Sequence, residues 1–94
     1  MPLLNCVVRG RVQGVGFRFF VQEQASLLDL RGWVRNLPTG EVEIEAAGDR
    51  EGLSQLLKAM ERGPVLSQVD MVEANWGDGE PRTDPGGLGA WYRF

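Results

Sequence analysis

Histidine is absent from the 94 residues. Imidazole is the one side chain whose ordinary pKa lies between about 5 and 8. Its absence removes the Ser-His-Asp and Cys-His catalytic arrangements and the histidine-ligated zinc sites together. Cys6 is the only cysteine, which excludes an internal disulfide and a cysteine-rich metal site. Lysine occurs once, at Lys58, against nine arginines. No apolar run is long enough to cross a membrane, and Pro2-Leu3-Leu4 is broken by Asn5 with no basic segment before it. Neither a span nor a secretory signal is therefore predicted, and the expectation is a soluble, cytoplasmic protein. The length predicts one domain, residues 1–94, with a single two-layer core.

Acidic residues are missing from Met1 to Gln22, whereas Arg9, Arg11 and Arg18 all lie there; the acids begin at Glu23. A net charge of −3 argues against general nucleic-acid binding, which depends on clustered positive charge. A local basic patch on an acidic chain suits instead a small anion steered to one spot. Within that patch, Gly10-Arg11-Val12-Gln13-Gly14-Val15-Gly16-Phe17-Arg18 packs three glycines into seven positions. Glycines let the backbone turn tightly and aim several N–H groups at one point, and a helix starting there adds free amides and the positive end of its dipole. That is an anion site, and Arg18 in the first helical turn supplies a positive fork suited to phosphate or carboxylate. The plainer alternative for Arg18 is a surface pair with Glu23 or Gln22. Arg9 and Arg11 read as solvated or steering charges.

Around this loop the periodicity alternates between strand and helix. Leu3 to Arg9 reads as a central strand with Leu4, Cys6 and Val8 on one face. Phe17, Phe20, Val21, Gln24, Ala25 and Leu28 recur at helical spacing to an end near Asp29. Arg31 to Leu37 reads as a second strand, and Leu37-Pro38-Thr39-Gly40 has the chemistry of a type I turn. Glu41 to Ala46 alternates strictly, which predicts a strand with Glu41, Glu43 and Glu45 on a wet face. Asp49 is placed to cap a second helix with Leu53, Leu56, Leu57 and Met60 on one stripe, stopped by Gly63-Pro64. Val65 to Trp76 reads as a fourth strand, with a slip in alternation between Met71 and Val72 that predicts a bulge. Gly77 to Gly89 reads as a mobile loop, and Ala90 to Phe94 as a short aromatic strand. Cys6, Trp33, Trp76 and Trp91 read as core or half-buried packing.

The order βαββαβ predicts an α+β sandwich of the ferredoxin-like type, an antiparallel sheet with two helices on one face. If strand three lies between parallel strands one and two, both of these run toward the end that carries the glycine loop. A helix of roughly twelve residues descends about 18 Å and a strand of roughly six climbs back about 20 Å. Asn36 then returns to the level of Arg18.

Gly10 to Arg18, followed by Gly32-Trp33-Val34-Arg35-Asn36 and Gly40-Glu41-Val42-Glu43, resembles the acylphosphatase family; Gly63-Pro64 and the aromatic C-terminal strand extend the likeness through the chain. Other glycine signatures fit poorly: Phe19 stands where a dinucleotide fingerprint needs its third glycine, and no Gly-Lys-Ser/Thr follows for a Walker loop. The resemblance implies hydrolysis of a carboxyl-phosphate anhydride to a carboxylate and inorganic phosphate, with no metal or covalent intermediate; no cofactor is expected, and the expected state is a monomer. It carries the phosphate-binding loop onto Gly10, Arg11, Val12, Gln13, Gly14, Val15 and Gly16. It carries the essential arginine onto Arg18 and the water-orienting asparagine onto Asn36. Asp29 where a glycine often ends the first helix, Gly16 in place of a bulkier residue, and Thr39 in place of Asp or Asn depart from the family pattern.

Such a reaction needs no imidazole. The leaving group is already a carboxylate, and what remains is to place a water in line with phosphorus and surround the phosphoryl oxygens with positive charge. The rival readings are a non-catalytic anion-binding or RNA-binding module on the same fold, and the acylphosphatase-like domain of carbamoyl-transferring maturation proteins. Asn36 disfavours simple anion binding, which requires donors but no water-orienting amide. The position of the Gly16 to Val21 aromatics at a helix start disfavours RNA, and a chain ending at Phe94 disfavours the maturation-protein context.

Overall fold

The computed structural model describes residues 1–83 and 91–94, with the backbone alone at Trp91. The elements are β1 (Pro2–Arg11), α1 (Phe17–Leu27), β2 (Arg31–Asn36), β3 (Val42–Ala47), α2 (Arg50–Arg62), β4 (Gln68–Asp78) and β5 (Trp91–Arg93). The strands form one sheet in the order β4-β1-β3-β2-β5, antiparallel at every junction. Because β3 lies between β1 and β2, those two run parallel and point to the same end of the sheet. This is the ferredoxin-like α+β arrangement that the element order predicts.

The helices bury complementary stripes on one face of the sheet. Phe17, Val21 and Ala25 of α1, and Leu53, Leu56 and Met60 of α2, meet Leu4, Cys6, Val8, Val34, Val42 and Ile44. Cys6 is fully enclosed, and its burial, with a smaller contribution from the Glu61 charge, pushes the thiol up to about 12. It packs as an inert small apolar group. At the end of α1, Leu30 N–H reaches Ala25 O and Asp29 N–H reaches Ser26 O, with Asp29 at φ 58. The helix therefore closes in a Schellman turn, with Asp29 in the left-handed position that glycine usually fills. Asp49 occupies the cap position of α2, but its side chain bonds none of the helix amides.

Several boundaries differ from expectation for local reasons. β1 continues through Gly10 and Arg11, which pair with Val69 and Gln68. β4 begins at Gln68 rather than Val65, because Ser67 folds back on Pro64 through both its N–H and its hydroxyl. Val65 and Leu66 are left exposed. The register shift falls between Arg9 and Gly10, opposite Met71 and Val69, so the extra residue of the bulge is Asp70, just before the expected slip. Gly77 and Asp78 extend β4 instead of opening a loop. The remainder of the expected 77–89 loop from 84 onward lies outside the described residues. Trp33 is enclosed and Trp76 half-exposed beneath the Arg50 guanidinium, 4.3 Å from its ring centroid. No described helix is long and apolar enough to cross a membrane.

The largest correction concerns the glutamates. Glu43 and Glu45 of β3 are buried, 9% and 5% exposed, and Glu41 precedes the strand, paired with Arg9 and Thr39. Alternation predicts one dry and one wet face, but Arg82, which follows β4, returns over the second face. There Asn5 Nδ2 donates to both carboxylates at 3.0 Å, and Arg35 Nη2 lies 2.7 Å from Glu43. Arg82 contacts Glu43 through Nη2 at 3.1 Å, while its backbone N–H donates to Glu45 at 2.7 Å. The Trp33 indole N–H in turn donates to Arg82 O at 3.0 Å. Two carboxylates and two guanidiniums thus neutralise one another on the side away from the helices.

Burial alone would raise the Glu43 pKa, but hydrogen bonds from Asn5 and Arg35 and the charges of Arg35 and Arg82 outweigh it and hold the carboxyl below its ordinary value. A carboxyl lowered by folding contributes its full stability above the unfolded pKa and loses it as pH falls through the folded value. Glu43→Gln is expected to cost about 3 kcal/mol at pH 7 by leaving Arg35 under-compensated. It is also expected to flatten the wild-type loss of stability below pH 4.5, the ordinary value for this group. Urea melts of both proteins from pH 3 to 7 check the two effects separately; equal acid slopes would show that Glu43 carries no such linkage.

Candidate active site

At the shared end of β1 and β2, the chain leaves Arg11 and enters the loop Val12 to Gly16. Gly10, expected within the loop, serves strand packing: a Cβ there would stand 2.2 Å from Gln68 O. Arg11 is exposed, and Val12 turns into the core. Gln13 spends its side chain on the β2–β3 turn, donating to Leu37 O at 2.8 Å and Glu41 O at 2.9 Å. The loop is thereby tied to the turn that follows Asn36. Val15 packs half-buried against the core.

Gly16 caps α1 in the left-handed conformation, φ 80, and Gly14 shares it at φ 74. A Cβ at either position would meet open space, so the demand for glycine is conformational. Left-handed residues on both sides of Val15 turn successive amides toward one side. The Gly16 carbonyl accepts from Phe20 N–H, which starts the helix ladder and leaves the amides of Phe17, Arg18 and Phe19 projecting from its end. Among the described residues, no acceptor takes the backbone N–H of any residue from Gln13 to Phe19.

Part of this stretch borders a pocket of about 150 Å³ lined by Val12, Gly14, Gly16, Phe17, Arg18, Phe19 and Asn36. Arg18 makes no ion pair among the described residues; the alternative partner Gln22 donates to Arg93 O instead. Arg9, read as a steering charge, is neutralised by Glu41 and Glu73. Asn36 ends β2 opposite Val42, and its Oδ1 is the one buried side-chain polar atom without a hydrogen-bond partner among the described residues. The structure thus brings Arg18, Asn36, Gly14 and Gly16 together. It places Gly10 and Arg11 in the strand below them, and Gln13 and Val15 as braces of the loop.

Two residues of this region escape sequence reasoning. Phe19 is 68% exposed beside Arg18, and its only signal is that it falls off the α1 stripe of Phe17, Val21 and Ala25. Tyr92 of β5 lies under the Arg18 guanidinium, whose carbon is 4.2 Å from the ring centroid. Nothing in the sequence pairs positions that far apart. A wider groove of about 570 Å³ lies elsewhere, along the C-terminal half of α2 beside Gln24, Leu28, Lys58 and Glu61. The helix dipole is negative at that end, so the groove does not share the donor chemistry of the loop.

The arrangement suits a tetrahedral oxyanion with a lone acceptor at its flank, and known proteins similar to this chain agree in kind. Residues 4–85 match the family model described as acylphosphatase. An acylphosphatase of Thermus thermophilus is 47% identical over 78 residues, which cover 83% of this chain and 89% of that protein. The crystal structure of acylphosphatase from Bacillus subtilis has a TM-score of 0.83 at 39% identity, covering 85% of this chain and 89% of that one. The structure of T. kodakarensis HypF is similar over 89% of this chain but only 11% of its own, with a TM-score of 0.74 at 33% identity. Likeness that runs through β1, the loop, α1 and β2 at such identity, over most of both chains, is kinship rather than shared architecture: the chain belongs to the acylphosphatase family.

Proposed function

We propose that the phosphoryl group of an acyl phosphate seats on the free amides between Gln13 and Phe19, with Arg18 gripping its oxygens and Asn36 aiming the attacking water. The reaction itself is that of the family, hydrolysis of the carboxyl-phosphate bond to a carboxylate and inorganic phosphate. The observation that carries the residue roles is the buried, unpartnered Oδ1 of Asn36 in a pocket otherwise furnished with donors. Hydrogen bonds to a charged acceptor contribute about 1.5–3 kcal/mol each, so several loop amides and one arginine supply the positive environment without further help. We extend the same reading to residues 1–94 as one catalytic domain, acting as a cytoplasmic monomer with no metal and no nucleic-acid partner. Gly10 and Arg11 then act from the strand end, fixing the base of the loop.

In this mechanism the water oxygen bonds to phosphorus as the bond from phosphorus to the carboxylate oxygen breaks. The leaving carboxylate departs with the electron pair. The Asn36 oxygen accepts one hydrogen bond from the water and sets its direction, but it is too weak a base to keep the proton, which passes to a phosphoryl oxygen.

Benzoyl phosphate incubated in ¹⁸O-water with a chelator present tests this reading. Phosphate release above background, undiminished by chelation and with one ¹⁸O atom in the phosphate, is the expected outcome. Label in benzoate would move the attack to the carbonyl carbon and overturn the role given to Asn36. Loss of activity with the chelator would overturn metal independence.

A further inference from the structure

Arg18 is held by an aromatic ring, as Arg50 is over Trp76. Arg9, Arg31, Arg35 and Arg82 each direct N–H groups at a carboxylate. Arg18 meets no carboxylate among the described residues and instead lies over the ring of Tyr92, its central carbon 4.2 Å from the centroid. A ring attracts a cation through its π face. The guanidinium's N–H donors lie in its plane, where a phosphoryl group can still reach them. A carboxylate in the same place would fix the side chain but occupy its donors and cancel its charge.

The ring is itself held from two sides. Tyr92 pairs with Val34 in the β2–β5 ladder, and Val34 and Asn36 share the helix-facing side of β2 because strand side chains alternate. Four residues after Arg18, one turn along the same face of α1, Gln22 donates to Arg93 O at 2.8 Å. The Phe94 N–H donates to Gly32 O at 3.2 Å. A strand of three residues is thus clasped between α1 and β2, with its half-buried tyrosine packed against the core and facing Arg18.

We propose that Tyr92 is a positioning residue for the phosphoryl site: its ring pre-aligns the Arg18 guanidinium and leaves the donors of that group free. The inference rests on Arg18 being the phosphoryl-gripping residue, and it is tested through phosphate affinity so that it stands apart from turnover. Wild type, Tyr92→Phe and Tyr92→Leu are titrated with inorganic phosphate by calorimetry and assayed with benzoyl phosphate.

Tyr92→Leu is expected to weaken phosphate binding about three- to ten-fold and to raise KM in step, while Tyr92→Phe, which keeps the π face, stays within about two-fold of wild type. A purely structural role for Tyr92 would lower the active fraction without moving phosphate affinity. Should the leucine variant fold poorly, phenylalanine and its increasingly fluorinated analogues at position 92 preserve shape while draining the ring's negative face. Phosphate affinity is then expected to fall with each fluorine. Unchanged affinity in Tyr92→Leu or across the fluorinated series, or a Tyr92→Phe protein as weak as the leucine variant, overturns the proposal. If wild type binds phosphate through this contact yet does not hydrolyse acyl phosphates, the catalytic reading fails and the positioning role stands.

Discussion

Arg18→Ala is expected to lower kcat/KM for benzoyl phosphate by about 10³–10⁵ and to abolish competitive inhibition by phosphate. An arginine placed on a transferring phosphoryl group is worth about that much in rate, and among the described residues no other cation lines the pocket. Both effects share one origin. The guanidinium contacts the phosphoryl oxygens in the bound substrate as well as in the transition state, so its loss raises KM and lowers kcat together. The fold should survive, since Arg18 is only half-buried and its contact with Tyr92 is worth about 1 kcal/mol. Circular dichroism and a thermal melt alongside the kinetics separate the two. An alanine variant that keeps phosphate inhibition would show that the amides alone bind the anion and that Arg18 acts elsewhere.

Asn36→Ala should behave differently. Its amide oxygen is assigned to the water rather than the substrate, so kcat is expected to fall by about 10²–10³, with KM and phosphate inhibition within about two-fold of wild type. Stability gives a second handle. An unsatisfied buried acceptor costs about 1–3 kcal/mol, and no protein group among the described residues satisfies Oδ1. The alanine variant is therefore expected to melt no lower than wild type, and a hydrophobic replacement such as Asn36→Leu to melt higher. Loss of activity with gain of stability is the signature of a group kept for chemistry. A near-normal kcat in Asn36→Ala would end the water-orienting assignment, whatever the melting temperature.

Much of this is legible in the sequence. The element order, the parallel course of β1 and β2, and the meeting of Asn36 with the glycine loop follow from periodicity and crossover rules. The family pattern, in which a glycine often ends the first helix, marks the position where Asp29 adopts the left-handed conformation. Where sequence reasoning failed, it lacked information about what lies across space. Strict alternation in Glu41 to Ala46 identifies two faces but not what covers the second; Arg82, far along the chain, turns a solvent row into a buried ionic cluster. Gly10 was assigned to the ligand loop because a glycine needed for close strand approach looks the same in sequence as one needed for a turn. Phe19 and Tyr92 carried no local signal, since each is defined by its neighbour in three dimensions.

The strand order also bears on time. Leu3 finds its partner at Gly77, and Trp33 finds one at Arg93, so neither edge strand can dock until a long stretch of chain has been closed into a loop. The entropy of that closure comes before any reward from contact, and topologies of this kind fold slowly for their size. Until β4 arrives, the Val7 and Val8 side of β1 is an open edge on which another copy could pair. The vulnerable moment of this small enzyme is therefore the interval before its fourth strand reaches the first.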